Sequence, residues 1–148
     1  PNFRLLIIGS DDGDLTALKS ALNGRTTNVE HRESSFGLEK SELFRACQFF
    51  ALPSLSEGLP MALLEAMSAG LVPLISEGCN LPELVEKGIA IEVDPTVESI
   101  ALKLNELEQW GHEDIEARGR EVRGYIEESY SLGTIAGQQA ELYGSLLS

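Results

Sequence analysis

Residues 49–83 read FFALPSLSEGLPMALLEAMSAGLVPLISEGCNLPE, and the rest of the chain is organised around them. Phe49-Phe50-Ala51-Leu52 is a short apolar run stopped by Pro53, the pattern of a strand buried on both faces. Ser54 to Gly58 is a polar loop. Pro60 suits the first turn of a helix, where its missing N–H leaves no bond unmade. Met61 to Ala69 is rich in Ala, Leu, Met and Glu, all good helix formers, and Gly70 stands where a left-handed residue ends such a helix. Leu71 to Ile75 is a second apolar run, so strand, helix and strand follow one another as in a parallel α/β sheet.

Two glutamates carry the chemistry of this stretch. Glu57 lies in the loop before the helix and Glu65 lies inside it, eight residues later. The first amides of a helix, here about Leu59 to Ala62, lack intrahelical acceptors and attract anions, and Gly58 lets a ligand approach the backbone closely. Carboxylates repel phosphate but accept hydrogen bonds from hydroxyls. Helix amides flanked by two carboxylates therefore suit a phosphorylated sugar or nucleotide better than a bare anion. The plainer reading makes Glu57 an exposed loop charge and Glu65 a solvated helix residue.

Composition narrows the remaining choices. The 148 residues are enough for one domain with its own core, and the apolar fraction of 43% is ordinary for a globular protein. A net charge of −13 argues against nucleic acid as a partner. No apolar run approaches the ~18 residues that span a bilayer, and the first residues have no signal-peptide pattern, which leads to an expected cytoplasmic location. Cys47, at a strand start, is expected to be buried and Cys79 to lie in a loop, both as reduced thiols. No Lys or Arg occurs from Ala46 through Glu86, so helix amides must carry any phosphate held there. The chain contains no metal-ligand spacing, catalytic triad or internal repeat.

Before the central stretch, residues 3–9 read as a buried parallel strand and Leu15 to Leu22 as a helix ended by Asn23-Gly24. Asp11 or Asp12 is a candidate cap for that helix, a better reading of Gly9 to Asp14 than a phosphate-binding glycine loop. Thr27 to His31 is a short strand candidate, with His31 in a structural role. Leu38 to Ala46 is a helix with Leu38, Leu43 and Phe44 inward. Downstream, the loop 77–80 and Glu83 lie at the carboxyl edge of the Leu71 to Ile75 strand, where open α/β sheets bind ligands. Glu83 reads equally well as a charge matched to the dipole of a short helix over Leu81 to Lys87. Ile89 to Val93 is the last strand. From Thr96 the chain is helical, with Ile115, Val122, Ile126, Ile135, Leu142, Tyr143 and Leu146 expected inward and Trp110-Gly111 marking a break.

Ser56-Glu57-Gly58-Leu59-Pro60, followed by Leu64-Glu65-Ala66-Met67 and Gly70, resembles the E-x7-E signature of group 1 (family 4) glycosyltransferases of the GT-B fold. Leu52-Pro53-Ser54, Val72-Pro73-Leu74-Ile75-Ser76 and Leu81-Pro82-Glu83 with Gly88 are similar to that family's flanking segments. The resemblance implies a Rossmann-like parallel sheet flanked by helices, the carboxyl-terminal, donor-binding half of a GT-B enzyme. It implies one donor-nucleotide-binding domain over 1–148, with a sheet core to about residue 95 and helices beyond. It implies a retaining hexosyltransferase that uses a nucleotide-diphospho-sugar, UDP- or GDP-linked, with no metal and no other cofactor. Glu57, Gly58 and Leu59 would hold the donor sugar. Gly58, Leu59 and Met61 would hold the pyrophosphate, since Pro60 has no N–H. Glu65 would hold the ribose, and Ser35 and Phe36 the base, with Lys40 nearby. No catalytic residue is assigned. The acceptor, a glycan, lipid or small molecule, would dock on an amino-terminal half, through which any membrane contact would also be made.

The resemblance also implies a missing first strand, because the family's opening Gly-Arg and Lys-Gly segments have no counterpart here. In a sheet of order 3-2-1-4-5-6 that strand is central. Its absence leads to the expectation that the strands at 3–9 and 47–52 pair directly, or that a second chain fills the gap in a strand-exchanged dimer. The rival reading is a non-catalytic glycosyltransferase-like interaction module, favoured by the acidity and the missing basic residues. A GT-B phosphorylase or epimerase ranks below both.

Overall fold

Apolar runs alternate with amphipathic segments, and the backbone follows them as strands and helices. The computed structural model describes residues 3–22 and 28–146. Its elements are β1 (Leu5–Ile8), α1 (Leu15–Leu22), β2 (Val29–Arg32), α2 (Gly37–Arg45), β3 (Phe49–Leu52), α3 (Met61–Ser68), β4 (Val72–Ile75), α4 (Pro82–Glu86), β5 (Ile91–Glu92), α5 (Val97–Leu107), α6 (His112–Ser129) and α7 (Leu132–Leu146). A 3₁₀ turn, Glu77–Cys79, lies between β4 and α4. The chain divides into two compact units, Pro1–Leu43 and Phe44–Ser148.

In the first unit β1 pairs in parallel with β2, Leu5 opposite Val29 and Ile8 opposite Arg32. The Asp11 carboxylate accepts the amides of Gly13 (2.8 Å) and Leu15 (3.2 Å), so it caps α1 as expected. Those two amides hold its pKa below the usual aspartate range. His31 places a ring nitrogen 3.2 Å from the Gly9 carbonyl, a structural contact. Two expectations fail here. β1 is only half-buried, with Leu5 on the surface, because the two-stranded sheet leaves one edge of β1 unpaired and α1 contributes no buried side chain. Leu38 is exposed while Leu43 and Phe44 are buried. At about 100° per residue, Leu38 is about 140° from Leu43 around the helix, so the two cannot share a face. The expected helix end at Asn23-Gly24 and the start of the second strand at Thr27 lie outside the described residues.

The second unit is a parallel three-stranded sheet, β3-β4-β5, covered by helices. Phe49 to Leu52 lie opposite Val72 to Ile75, and Leu74 and Ile75 opposite Ile91 and Glu92. β4 is buried at every position, as a central parallel strand should be. β3, expected to be buried on both faces, is half-buried with Ala51 exposed, because only one of its edges is paired. Leu63 and Met67 of α3, Ile75, Cys79, Leu84, and Val122 and Ile126 of α6 form one core. Burying each large apolar side chain of this kind stabilises the fold by about 1.5–3 kcal/mol. Phe44, Ala66 and Leu71 form a second cluster, in which the Phe44 and Phe50 rings meet edge to face.

The pairings within each sheet are those of the expected order, second strand with third and fourth with fifth and sixth. Within the first unit β1 bonds to β2, and within the second β3 bonds to β4.

Cys79 lies in the loop after β4, as expected, whereas Cys47 is less buried than expected. Cys79 is fully buried, its thiol 3.1 Å from the Leu52 carbonyl, because the 3₁₀ turn folds back under the end of β3. Cys47 is only partly buried, enough to raise its thiol pKa. Thr96 caps α5 through its hydroxyl, Gly111 precedes α6, and Val122 and Ile126 face inward as expected. Ile115 is half-buried. On α7, however, Ile135, Leu142, Tyr143 and Leu146 are exposed, because α7 meets the rest of its unit mainly along α6. Among the described residues no helix is long and apolar enough to cross a membrane.

Candidate donor site at the amino end of α3

Pro60 is the N-cap of α3, with φ −76° and ψ 83°, and no side chain caps the helix start. Its carbonyl takes the amides of Leu63 (3.0 Å) and Leu64 (3.3 Å). The amides of Gly58, Leu59 and Met61 make no backbone hydrogen bond among the described residues. Pro60 itself is buried, whereas Leu59 and Met61 are more than half exposed, 59% and 57%. This helix end thus presents unbonded amides at the surface, where the dipole favours negative charge. Glu65 is exposed four residues beyond Met61, hence on the same side of α3.

Glu57 is held in place. Its N–H donates to the Gly78 carbonyl at 2.7 Å, and its own carbonyl accepts from the Asn80 side-chain amide at 2.7 Å. One carboxylate oxygen accepts the Ser54 hydroxyl at 2.5 Å, and the Ser76 hydroxyl donates to the Ser54 carbonyl. The loop and the 3₁₀ turn lie so close that a Cβ on Gly78 would fall 2.6 Å from the Leu55 carbonyl carbon. Asn80 adopts a left-handed conformation, φ 55° and ψ 35°, which Asn tolerates better than most residues. Sequence reasoning placed residues 78–80 at the cleft but missed that Ser54 and Asn80 grip Glu57. The Ser-x-x-Glu spacing was a visible signal for the first contact, and nothing local announced the second.

A cleft of about 430 Å³ opens at the carboxyl ends of β4 and β5, beside α4. Glu77, Glu86 and Glu92 line it together with Asn80, and it has no Lys or Arg. Three carboxylates make it a poor place for a diphosphate, and none of Glu57, Gly58, Leu59, Met61 or Glu65 lines it. The anion-binding potential lies at the start of α3. Glu83 accepts the Tyr130 hydroxyl at 2.8 Å, so this carboxylate joins α4 to the end of α6. Burial, and then that carboxylate, push the Tyr130 pKa upward. Ser35, buried, and Phe36, 80% exposed, precede α2 in the first unit.

Parallel strands with helices packed on the sheet define a parallel α/β protein. The family described as Glycosyl transferases group 1 matches residues 1–122, and the chain belongs to that family. It is 27% identical over 156 aligned positions to the GDP-mannose:cellobiosyl-diphosphopolyprenol alpha-mannosyltransferase of Xanthomonas campestris, covering 99% of this chain and 40% of that protein. It is 34% identical over 111 positions to the amylovoran biosynthesis glycosyltransferase AmsK of Erwinia amylovora, covering 68% of this chain and 26% of that protein. The chain therefore spans well under half the length of these curated relatives. Among solved structures, sucrose-phosphate synthase from Thermosynechococcus elongatus superposes with a TM-score of 0.79 at 19% identity, over 97% of this chain and 38% of that one. Anabaena Alr3699/HepE, solved in complex with UDP and glucose, gives 0.78 at 19% identity, over 98% and 41%. The fold is that of GT-B glycosyltransferases: parallel sheets flanked by helices.

Proposed function

We propose that this chain binds the nucleotide-diphospho-sugar donor of a retaining hexosyltransferase and acts as part of a longer polypeptide, inactive alone, on the cytoplasmic side. The donor is UDP- or GDP-linked, and the acceptor is a glycan, lipid or small molecule held elsewhere. The diphosphate rests on the amides of Gly58, Leu59 and Met61. Glu57 accepts hydroxyls of the sugar and Glu65 those of the ribose. As the sugar leaves, charge builds on the diphosphate, and amides already aimed at it stabilise that charge without reorganisation. No metal is needed in this scheme.

The observation that carries the reading is the uncapped amino end of α3 with Glu57 fixed beside it by three hydrogen bonds. Isothermal titration of the full-length protein with UDP, GDP, UDP-glucose and GDP-mannose tests it. One nucleotide series should bind, with the sugar-bearing form weakened by Glu57→Ala and both forms weakened by Glu65→Ala. Binding untouched by either substitution would overturn the assignment.

The second reading is a non-catalytic interaction module. It is favoured by the distribution of cations: Lys87 lies over the Tyr125 ring, and Lys103, Arg118 and Arg123 are engaged with Glu106, Glu121 and the Ala69 carbonyl. A full-length protein that binds none of the four ligands would support this reading.

A further inference from the structure

We infer that Asn80 is a positioning residue for the donor sugar, acting through Glu57; the inference rests on the donor reading above. The two lie 23 residues apart, yet the Asn80 side-chain amide reaches the Glu57 carbonyl at 2.7 Å while the Gly78 carbonyl takes the Glu57 N–H at 2.7 Å. Both polar ends of residue 57 are thus tied to one turn. The Ser54 hydroxyl on the Glu57 carboxylate then selects the direction of the side chain. Without such ties a loop glutamate samples several rotamers, and a ligand must order it on binding. The next residue, Gly58, is exposed and has open space where a Cβ would stand.

Asn is suited to both demands at position 80. Its backbone is left-handed, φ 55°, and its side chain supplies the N–H donor that the Glu57 carbonyl takes. Glycine would meet the first demand and lose the second. Aspartate tolerates the conformation but, ionised, only accepts hydrogen bonds, and would set a carboxylate against a carbonyl oxygen.

Asn80→Gly and Asn80→Asp in the full-length protein separate positioning from folding. Both should melt close to the wild type, and both should lose about tenfold in affinity for whichever of UDP-glucose or GDP-mannose the protein binds, while affinity for the matching free UDP or GDP falls clearly less, since only one of its amides, that of Gly58, shares the peptide that Asn80 holds. In a Glu57→Ala background the Asn80 substitutions should lower sugar-nucleotide affinity no more than they lower free-nucleotide affinity, because the carboxylate they position is gone. If Glu57→Ala weakens the sugar nucleotide and both Asn80 variants bind it like the wild type, the Asn80 inference is wrong and the donor reading stands. If Glu57→Ala changes nothing, both fall together. Equal losses for free nucleotide and sugar nucleotide in the Asn80 variants would also overturn the inference, since they would mark a general disturbance of the α3 amino end.

Discussion

The two ends of α3 are built in opposite ways. At the carboxyl end, Gly70 turns the chain with φ +86°, the Arg123 guanidinium donates to the Ala69 carbonyl at 2.8 Å, and Gly119 of α6 packs directly on the Gly70 carbonyl. The last turn is thus capped, charge-matched and covered by protein. At the amino end no side chain caps the helix, Leu59 and Met61 face solvent, and the polar groups nearby hold Glu57 without covering the amides. Both ends have four unsatisfied backbone groups by construction. One end is closed in the folded chain, and the other is open to solvent. Under the donor reading proposed above, the helix would be held by the first and would bind through the second.

Substitutions can break that contrast. The largest expected effect is from Gly119→Val. The new side chain would collide with the Gly70 carbonyl, a backbone atom that cannot rotate aside, and should cost about 3 kcal/mol in urea unfolding. Glu65→Ala, one turn beyond Met61, should change the unfolding free energy by no more than about 0.5 kcal/mol while nucleotide affinity falls by about 2 kcal/mol, more than tenfold. A Glu65→Ala protein that loses stability and keeps affinity would erase the distinction between the two ends. Arg123→Met keeps the aliphatic stem and removes the cap, so about 1 kcal/mol of stability should go with no change in ligand binding.

The smallest effect tests the far end of α6, away from both ends of α3. The Tyr130 pKa is raised in the fold, so the neutral phenol is favoured there. Its contribution to stability is fully present below the ordinary tyrosine pKa of about 10 and is lost as pH rises above it. Tyr130→Phe should cost about 0.5–1 kcal/mol at pH 7 and should flatten the decline in stability that the wild type shows above about pH 10. An identical alkaline decline in both proteins would mean that the contact between Tyr130 and Glu83 does not set it.

Much of the second unit was legible because its signals are local. Pro60 and Gly70 bracket α3 through their own backbone preferences, and the break at Trp110-Gly111 separates α5 from α6. β3 was read to the residue from a short apolar run and its proline stop. Apolar content was a poorer guide to burial. Leu38 and the apolar residues of α7 are exposed, because an apolar residue goes inside only where a surface exists to receive it. Cys47, expected to be buried, is only partly so, while Cys79 lies in the expected loop and is fully buried where the 3₁₀ turn meets β3.

By itself the sequence determined the parallel α/β alternation, the bounds of α3 and the presence of Glu57 and Glu65 around its amino end, because propensity, proline and glycine act within a few residues of where they stand. Tertiary structure alone decided that the strands divide into sheets of two and three, that Gly119 seals one end of α3, and that Asn80 and Gly78 hold Glu57 in place. Those outcomes depend on contacts between residues seventeen or more positions apart. No local preference encodes such a contact, and only packing of the whole unit brings its partners within hydrogen-bonding distance.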